Sequence, residues 1–161
     1  MRRQVEQIYM ETRASVASYL RYLGLSDAQA QESLQEAYLR LYQTLLRGER
    51  IEHAKAWIFR VAHNDGVKRR KRDEALYAEE PNWSLFVHPS DSPERILLDR
   101  ERMERLKQAL ATLSSQQRQC LFLRAEGLLY REIADTLDIG VSTVNEFIRR
   151  ALTRLAEAVR A

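Results

Sequence analysis

Apolar side chains return every third or fourth residue through most of this chain, and nowhere do they alternate over the length of a strand. A period near 3.6 buries one stripe of a helix, whereas a half-buried sheet needs a period of two, so the pattern predicts an all-α protein. Val5, Ile8, Tyr9, Val16, Tyr19, Leu20 and Leu23 make the first stripe, and Gly24 follows as a stop. Ser26 and Gln29 then stand at the spacing of a capping box, ahead of Ala30, Leu34, Ala37, Tyr38, Leu41 and Leu45. Gly48 ends that second helix. A short polar loop, 49–52, leads to Ala54, Trp57, Ile58, Val61 and Ala62, and this third stripe runs into the cationic residues 68–72.

From Asp73 to about Ser92 the period fails, Pro81, Pro89 and acidic residues accumulate, and a linker is expected. Within it Trp83-Ser84-Leu85-Phe86-Val87 is too apolar to float freely and is expected to dock on protein. Ser92 and Pro93 supply an N-cap with proline at the first helical position, and Ile96, Met103, Leu106, Leu110 and Leu113 continue the stripe. Ser114 and Gln117 form a second capping box, the helix they open stops at Gly127, and two more helices follow. The expected organisation is therefore two small helical domains, 1–72 and 92–161, joined by an acidic linker, 73–91.

Several classes of function drop out at this point. No apolar run reaches the length of a bilayer span, and the charged start Met1-Arg2-Arg3-Gln4-Val5-Glu6 is no signal peptide, so a cytoplasmic location without membrane insertion is expected. Cys120 stands alone, and His53, His63 and His88 are scattered, which offers neither an internal disulfide nor a metal site. With no glycine-rich phosphate loop either, no cofactor and no catalytic residue are expected. Charge points elsewhere. Residues 1–72 hold 14 basic against 8 acidic side chains, 73–101 hold 2 against 8, and 102–161 hold 10 against 7, a balance of +6, −6 and +3. Two basic blocks around an acidic bridge are the footprint of a protein that meets phosphate backbones.

Residues 130–152, YREIADTLDIGVSTVNEFIRRAL, carry the pattern of a helix-turn-helix. Ala134 is the small residue where two helices touch, Leu137, Ile139, Val144 and Ile148 supply the shared core, and Ser142 is expected to cap the second helix. Asp138 holds the turn position where the backbone tends to be left-handed. At 100° per residue Val144, Ile148, Ala151, Leu152 and Leu155 share one side, and Asn145, Glu146, Arg149, Arg150 and Thr153 lie opposite. Those are residue types that read base edges and phosphates; a carboxylate is the least expected of them, though it can accept from the amino group of cytosine. In the third helix Trp57, Arg60, His63 and Asn64 sit beside the basic run, a mixture of aromatic and cationic groups suited to single-stranded nucleic acid.

These residues together resemble the extracytoplasmic-function (ECF) group of sigma-70-type bacterial RNA polymerase sigma factors, over nearly the whole chain. Glu32-Ser33-Leu34-Gln35-Glu36-Ala37-Tyr38-Leu39-Arg40-Leu41-Tyr42 is similar to region 2.2, and Ala56-Trp57-Ile58-Phe59-Arg60-Val61-Ala62-His63-Asn64 to regions 2.3 and 2.4. Ser92-Pro93-Glu94, Leu113-Ser114-Ser115-Gln116-Gln117-Arg118, Leu123-Arg124 and Arg131-Glu132-Ile133-Ala134 resemble region 4. The family commonly has Asp at position 32 and an arginine-rich approach near 145–147, so base preferences do not carry over directly.

The resemblance implies a sigma factor that binds core RNA polymerase, through the beta-prime clamp helices and the beta flap, and directs it to promoter DNA. Its polymerase-binding residues would be Glu32, Gln35, Glu36, Leu39, Arg40 and Gln43. The minus-ten element would meet Arg50, Trp57, Arg60, His63, Asn64, Lys68 and Arg69, and the minus-thirty-five element Arg131, Ser142, Thr143, Asn145, Glu146, Arg149 and Arg150. An anti-sigma protein is a further implied partner. Two competing readings stand beside it: a LuxR-like helix-turn-helix regulator, from residues 114–152 alone, and an enzyme with Cys120 as nucleophile, which the apolar stripe around that cysteine disfavours.

Overall fold

The computed structural model describes residues 1–72 and 93–160, with side chains from residue 100 onward in the second stretch. The described residues form seven helices: α1 (Arg2–Tyr22), α2 (Asp27–Leu46), α3 (Ala54–Arg72), α4 (Pro93–Ala111), α5 (Ser115–Ala125), α6 (Tyr130–Leu137) and α7 (Val141–Arg160). No strand occurs among them. The apolar 83–87 segment, most of the expected linker and the Ser92 cap lie outside the described residues, while Pro93 opens α4 as expected. None of the helices is long and apolar enough to cross a membrane.

Local chemistry sets the boundaries. Ser26 and Ser114 each accept from the backbone N–H three residues on, and Gln29 and Gln117 reach back to the serine N–H, so both capping boxes are complete. Three helices end in one motif. After α1, Leu25 N–H donates to Leu20 C=O and Gly24 N–H to Arg21 C=O; Glu49 and Gly48 do the same after α2, and Leu128 and Gly127 after α5. This closure turns the chain through positive φ, which Gly24, Gly48 and Gly127 adopt without a Cβ penalty.

The chain divides into two compact units, one holding α1–α3, the other α4, α5, most of α6 and α7. In the first, α1, α2 and α3 pack pairwise around Val16, Tyr19, Leu20, Leu34, Ala37, Leu41, Ile58, Phe59 and Ala62, all buried. Gly66 explains how closely α3 meets α1: a Cβ there would lie 2.9 Å from Leu20 Cδ2 and 3.3 Å from Leu23 Cδ1. A mid-helix glycine costs about 1 kcal/mol in helix propensity, which the closer packing offsets. Polar groups also enter this interior. The Tyr19 hydroxyl hydrogen-bonds His63 Nδ1 at 2.7 Å, and the Thr12 and Tyr38 hydroxyls meet.

In the second unit α7 packs on both α4 and α5. Leu110, Leu113 and Ala151 form a buried cluster, with Leu106, Leu121 and Leu155 packed against it, and Cys120, Leu123, Ile133 and Val144 are equally inaccessible. Leu152, placed on the buried side by the helical wheel, is instead 53% exposed. It stands 100° round the helix from fully buried Ala151, past the edge of the cover that α4 and α5 provide.

Candidate functional site

Three helix faces gather the residues singled out by the sequence. On α2 the core takes Ala30, Ser33, Leu34, Ala37, Tyr38, Leu41 and Thr44, which fixes the opposite face outward. Glu32, Gln35, Leu39, Arg40 and Gln43 are exposed there, and Glu36, half-buried, accepts from Arg40 Nε at 3.1 Å. The sequence reading missed two members of this face. Tyr42 and Leu46 are exposed with Leu39, so an apolar strip runs along a polar surface. Their positions on the helical wheel, beside 35, 39 and 43, carried the signal.

The face of α3 is only partly as expected. Arg60, Asn64 and Lys68 are exposed, Trp57 is half-buried, and Arg50 is exposed in the loop before the helix. His63 does not join them. It turns into the core against Tyr19, 9% exposed, and burial lowers its pKa to about 4, so the ring is neutral and unavailable to a phosphate or a base. Arg69 is also engaged within the protein: its guanidinium binds Asp65 on its own helix at 2.7 Å and Glu32 on α2 at 2.8 Å. Burial works against the Asp65 charge, but the guanidinium of Arg69 bonded to it, with the charge of Arg40, helps hold that carboxyl below its ordinary range. A residue assigned to polymerase and one assigned to DNA are thus partners in one ion-pair cluster.

The α6–α7 segment has the turn that the sequence indicated. Asp138 is left-handed, φ 56° and ψ 49°, and both it and Ile139 donate backbone N–H to Ala134 C=O. At the other end of α6, Leu129 N–H donates to the Glu132 carboxylate at 2.8 Å. Arg124 links α5 to this segment, lying over the Tyr130 ring at 5.2 Å and donating to Leu128 C=O. Ser142 is not the cap of α7. The helix begins at Val141 and its first backbone bond runs from Val144 N–H to Gly140 C=O, which makes Gly140 the N-cap and puts Ser142 in the first turn.

Val144, Ile148 and Ala151 anchor α7 inward, and Asn145, Arg149 and Arg150 face water, as do Arg131 and Ser142; Thr143 is half-buried. Glu146 sits among them and accepts from Arg149 Nη2 at 2.8 Å on one carboxylate oxygen and from Arg150 Nε at 2.7 Å on the other. The bond from Arg149, with Arg150 beside it, holds the Glu146 carboxyl below its ordinary range. Cys120 is buried among apolar groups, and burial pushes its thiol up to about 11, the opposite of an activated nucleophile.

Comparison with known proteins follows the same division. Residues 103–155 match the family described as sigma-70, region 4. The RNA polymerase sigma-H factor of Pseudomonas aeruginosa is 32% identical over 147 residues, covering 83% of this chain and 75% of that protein. The RNA polymerase sigma factor YlaC of Bacillus subtilis is 26% identical over 157 residues, covering 96% of this chain and 91% of its own. In fold the chain is similar to the sigma factor RpoE of Bartonella quintana, solved in complex with the anti-sigma factor NepR, at a TM-score of 0.65 and 21% identity, with 97% of this chain and 96% of that one covered. Matches of this extent take in both units, so a LuxR-like regulator resembling only residues 114–152 does not account for them. The chain belongs to the extracytoplasmic-function group of sigma-70-type RNA polymerase sigma factors.

Proposed function

We propose that this sigma factor, which binds core RNA polymerase and directs it to promoters to initiate transcription, divides the work among the three faces. It is a recognition subunit and not an enzyme. The face of α2, with Glu32, Gln35, Glu36, Leu39, Arg40 and Gln43, docks on the beta-prime clamp helices, and the second unit meets the beta flap. Arg50, Trp57, Arg60, Asn64 and Lys68 engage the minus-ten element as it opens, and Arg131, Ser142, Thr143, Asn145, Glu146, Arg149 and Arg150 engage the minus-thirty-five duplex. Residues 1–72 and 92–161 act as the two domains, tethered by the acidic 73–91 segment. The work is done in the cytoplasm, and an anti-sigma protein restrains the factor until release.

The observation that carries this reading is the water-facing strip on α2. Leu39 and Leu46 are 51% and 56% exposed on a helix whose other face is fully packed, with Tyr42 between them. An apolar strip edged by polar side chains marks a protein contact. The test is capture of purified core RNA polymerase by the full chain. Leu39→Asp is expected to weaken capture at least tenfold while leaving the helical content intact, and capture equal to wild type would refute the docking face.

A further inference from the structure

We propose that Glu146 is a specificity-determining residue of the duplex-reading helix: it selects a cytosine in the upstream promoter element, with Arg149 and Arg150 held on its carboxylate as neutralising partners. The inference rests on the reading of α7 as the duplex reader and deepens it by naming the base.

Val144 and Ile148 are buried and anchor α7, so Asn145, Glu146, Arg149 and Arg150 are set on its outer side. Glu146 is bonded three and four residues on, each carboxylate oxygen taking one guanidinium, at 2.8 and 2.7 Å. The carboxylate is thereby held in one orientation before any nucleic acid arrives, and 38% of the side chain is still exposed.

A bare carboxylate in a groove lined by phosphates is repelled. Two guanidiniums change the local charge from −1 to +1, so the cluster as a whole is attracted. Neither side is exhausted by the pairing: a carboxylate oxygen has a second acceptor site, and each guanidinium has five N–H donors, leaving several for phosphate oxygens. The base edge then decides. A carboxylate only accepts, and in the major groove guanine presents N7 and O6 acceptors and thymine an O4 acceptor, all of which oppose it. Adenine offers an amino group next to the N7 acceptor. Cytosine alone presents its amino donor with no acceptor beside it. The carboxylate thus converts a general phosphate attraction, common to every sequence, into a preference for one base pair.

The test uses holoenzyme assembled from the full chain and core RNA polymerase, presented with promoter duplexes whose upstream element is randomised, with bound sequences read out. Wild type is expected to select cytosine at one upstream position. E146A is expected to flatten that position by about fivefold or more, the scale of one base contact. E146Q is expected to move the preference there toward adenine, which pairs with a carboxamide through N6 and N7. With the arginines freed for phosphate, both variants are expected to bind non-cognate duplex more tightly, with a salt dependence steeper by about one in slope. If both variants select the same bases as wild type at every position, with affinity changed uniformly, the triad only stabilises α7 and the inference is overturned while the duplex reading survives. If wild type captures polymerase but selects no upstream sequence, the duplex reading itself falls and takes the inference with it.

Discussion

The first unit sets hydroxyls, an imidazole and aromatic rings among its aliphatic side chains, and the second closes mainly on aliphatic side chains with Phe122 as a buried ring. Tyr19, fully buried, bonds His63 and meets Phe59 edge-on with ring centroids 5.8 Å apart, while the second interior is Leu110, Leu123, Ile133, Val144 and Cys120. Their carboxylate–guanidinium clusters differ in the same sense. Asp65–Arg69–Glu32 crosses from α3 to α2 with Arg69 26% exposed, whereas Glu146–Arg149–Arg150 stays on one helix with the arginines 68% and 60% exposed. Polar groups in the first unit fix which helix lies against which. In the second, aliphatic packing does most of that work, Gln117 enters the interior only as part of a capping box, and the Glu146 cluster remains at the surface for a partner.

Acid separates the two units most strongly. The folded first unit refuses a proton at His63 until about pH 4, while the unfolded chain accepts one near 6.5. The contribution is therefore complete above pH 6.5 and is lost as pH falls toward 4, about 3 kcal/mol in all by linkage. Hydrogen exchange between pH 7 and 4.5 is expected to show the amides of α1–α3 losing protection ahead of those of α5–α7, and His63→Gln is expected to flatten this difference. Next in size is the cross-helix cluster. Asp65→Ala removes a half-buried charged hydrogen-bond partner and is expected to lower stability by about 2 kcal/mol in urea unfolding, with a double-mutant cycle against Arg69→Ala showing coupling. Asp138→Gly relieves a left-handed non-glycine residue in the second unit and is expected to raise the midpoint by the equivalent of about 1 kcal/mol or less. The exposed cluster comes last: Glu146→Ala is expected to leave the unfolding midpoint unchanged within error, so that any effect on DNA binding reads as function. A midpoint shift as large as that of Asp65→Ala would erase the contrast between the two clusters.

What could be read from the sequence was local. Capping boxes at Ser26 and Ser114, stops at Gly24, Gly48 and Gly127, and the left-handed turn at Asp138 all depend on backbone bonds within five residues, and the structure bears them out. Even there the pattern slipped by two residues at Ser142, because a glycine also serves as an N-cap and the serine beyond it looked the better candidate. The misplaced site residues depended on distant partners. His63 is held by Tyr19, 44 residues away, and Arg69 by Glu32, 37 residues away, neither of which leaves a mark in the spacing of α3; only the Asp65–Arg69 bond, four residues apart on α3, was there to be read. Leu152 shows the limit of the helical wheel, which gives a direction but not how far neighbouring helices extend over it. On α2 and α7, where the outward face is simply the complement of the core stripe, the exposed members were legible: Gln35, Leu39, Arg40 and Gln43, then Asn145, Arg149 and Arg150.

The inaccessible, un-ionised thiol of Cys120 bears on how this factor can be controlled. Peroxides and disulfides attack thiolates that solvent can reach, and the chain's one sulfhydryl is neither charged nor reachable in the folded protein. Oxidation at this position therefore requires the second unit to open first, so the folded factor does not answer oxidants through its own thiol.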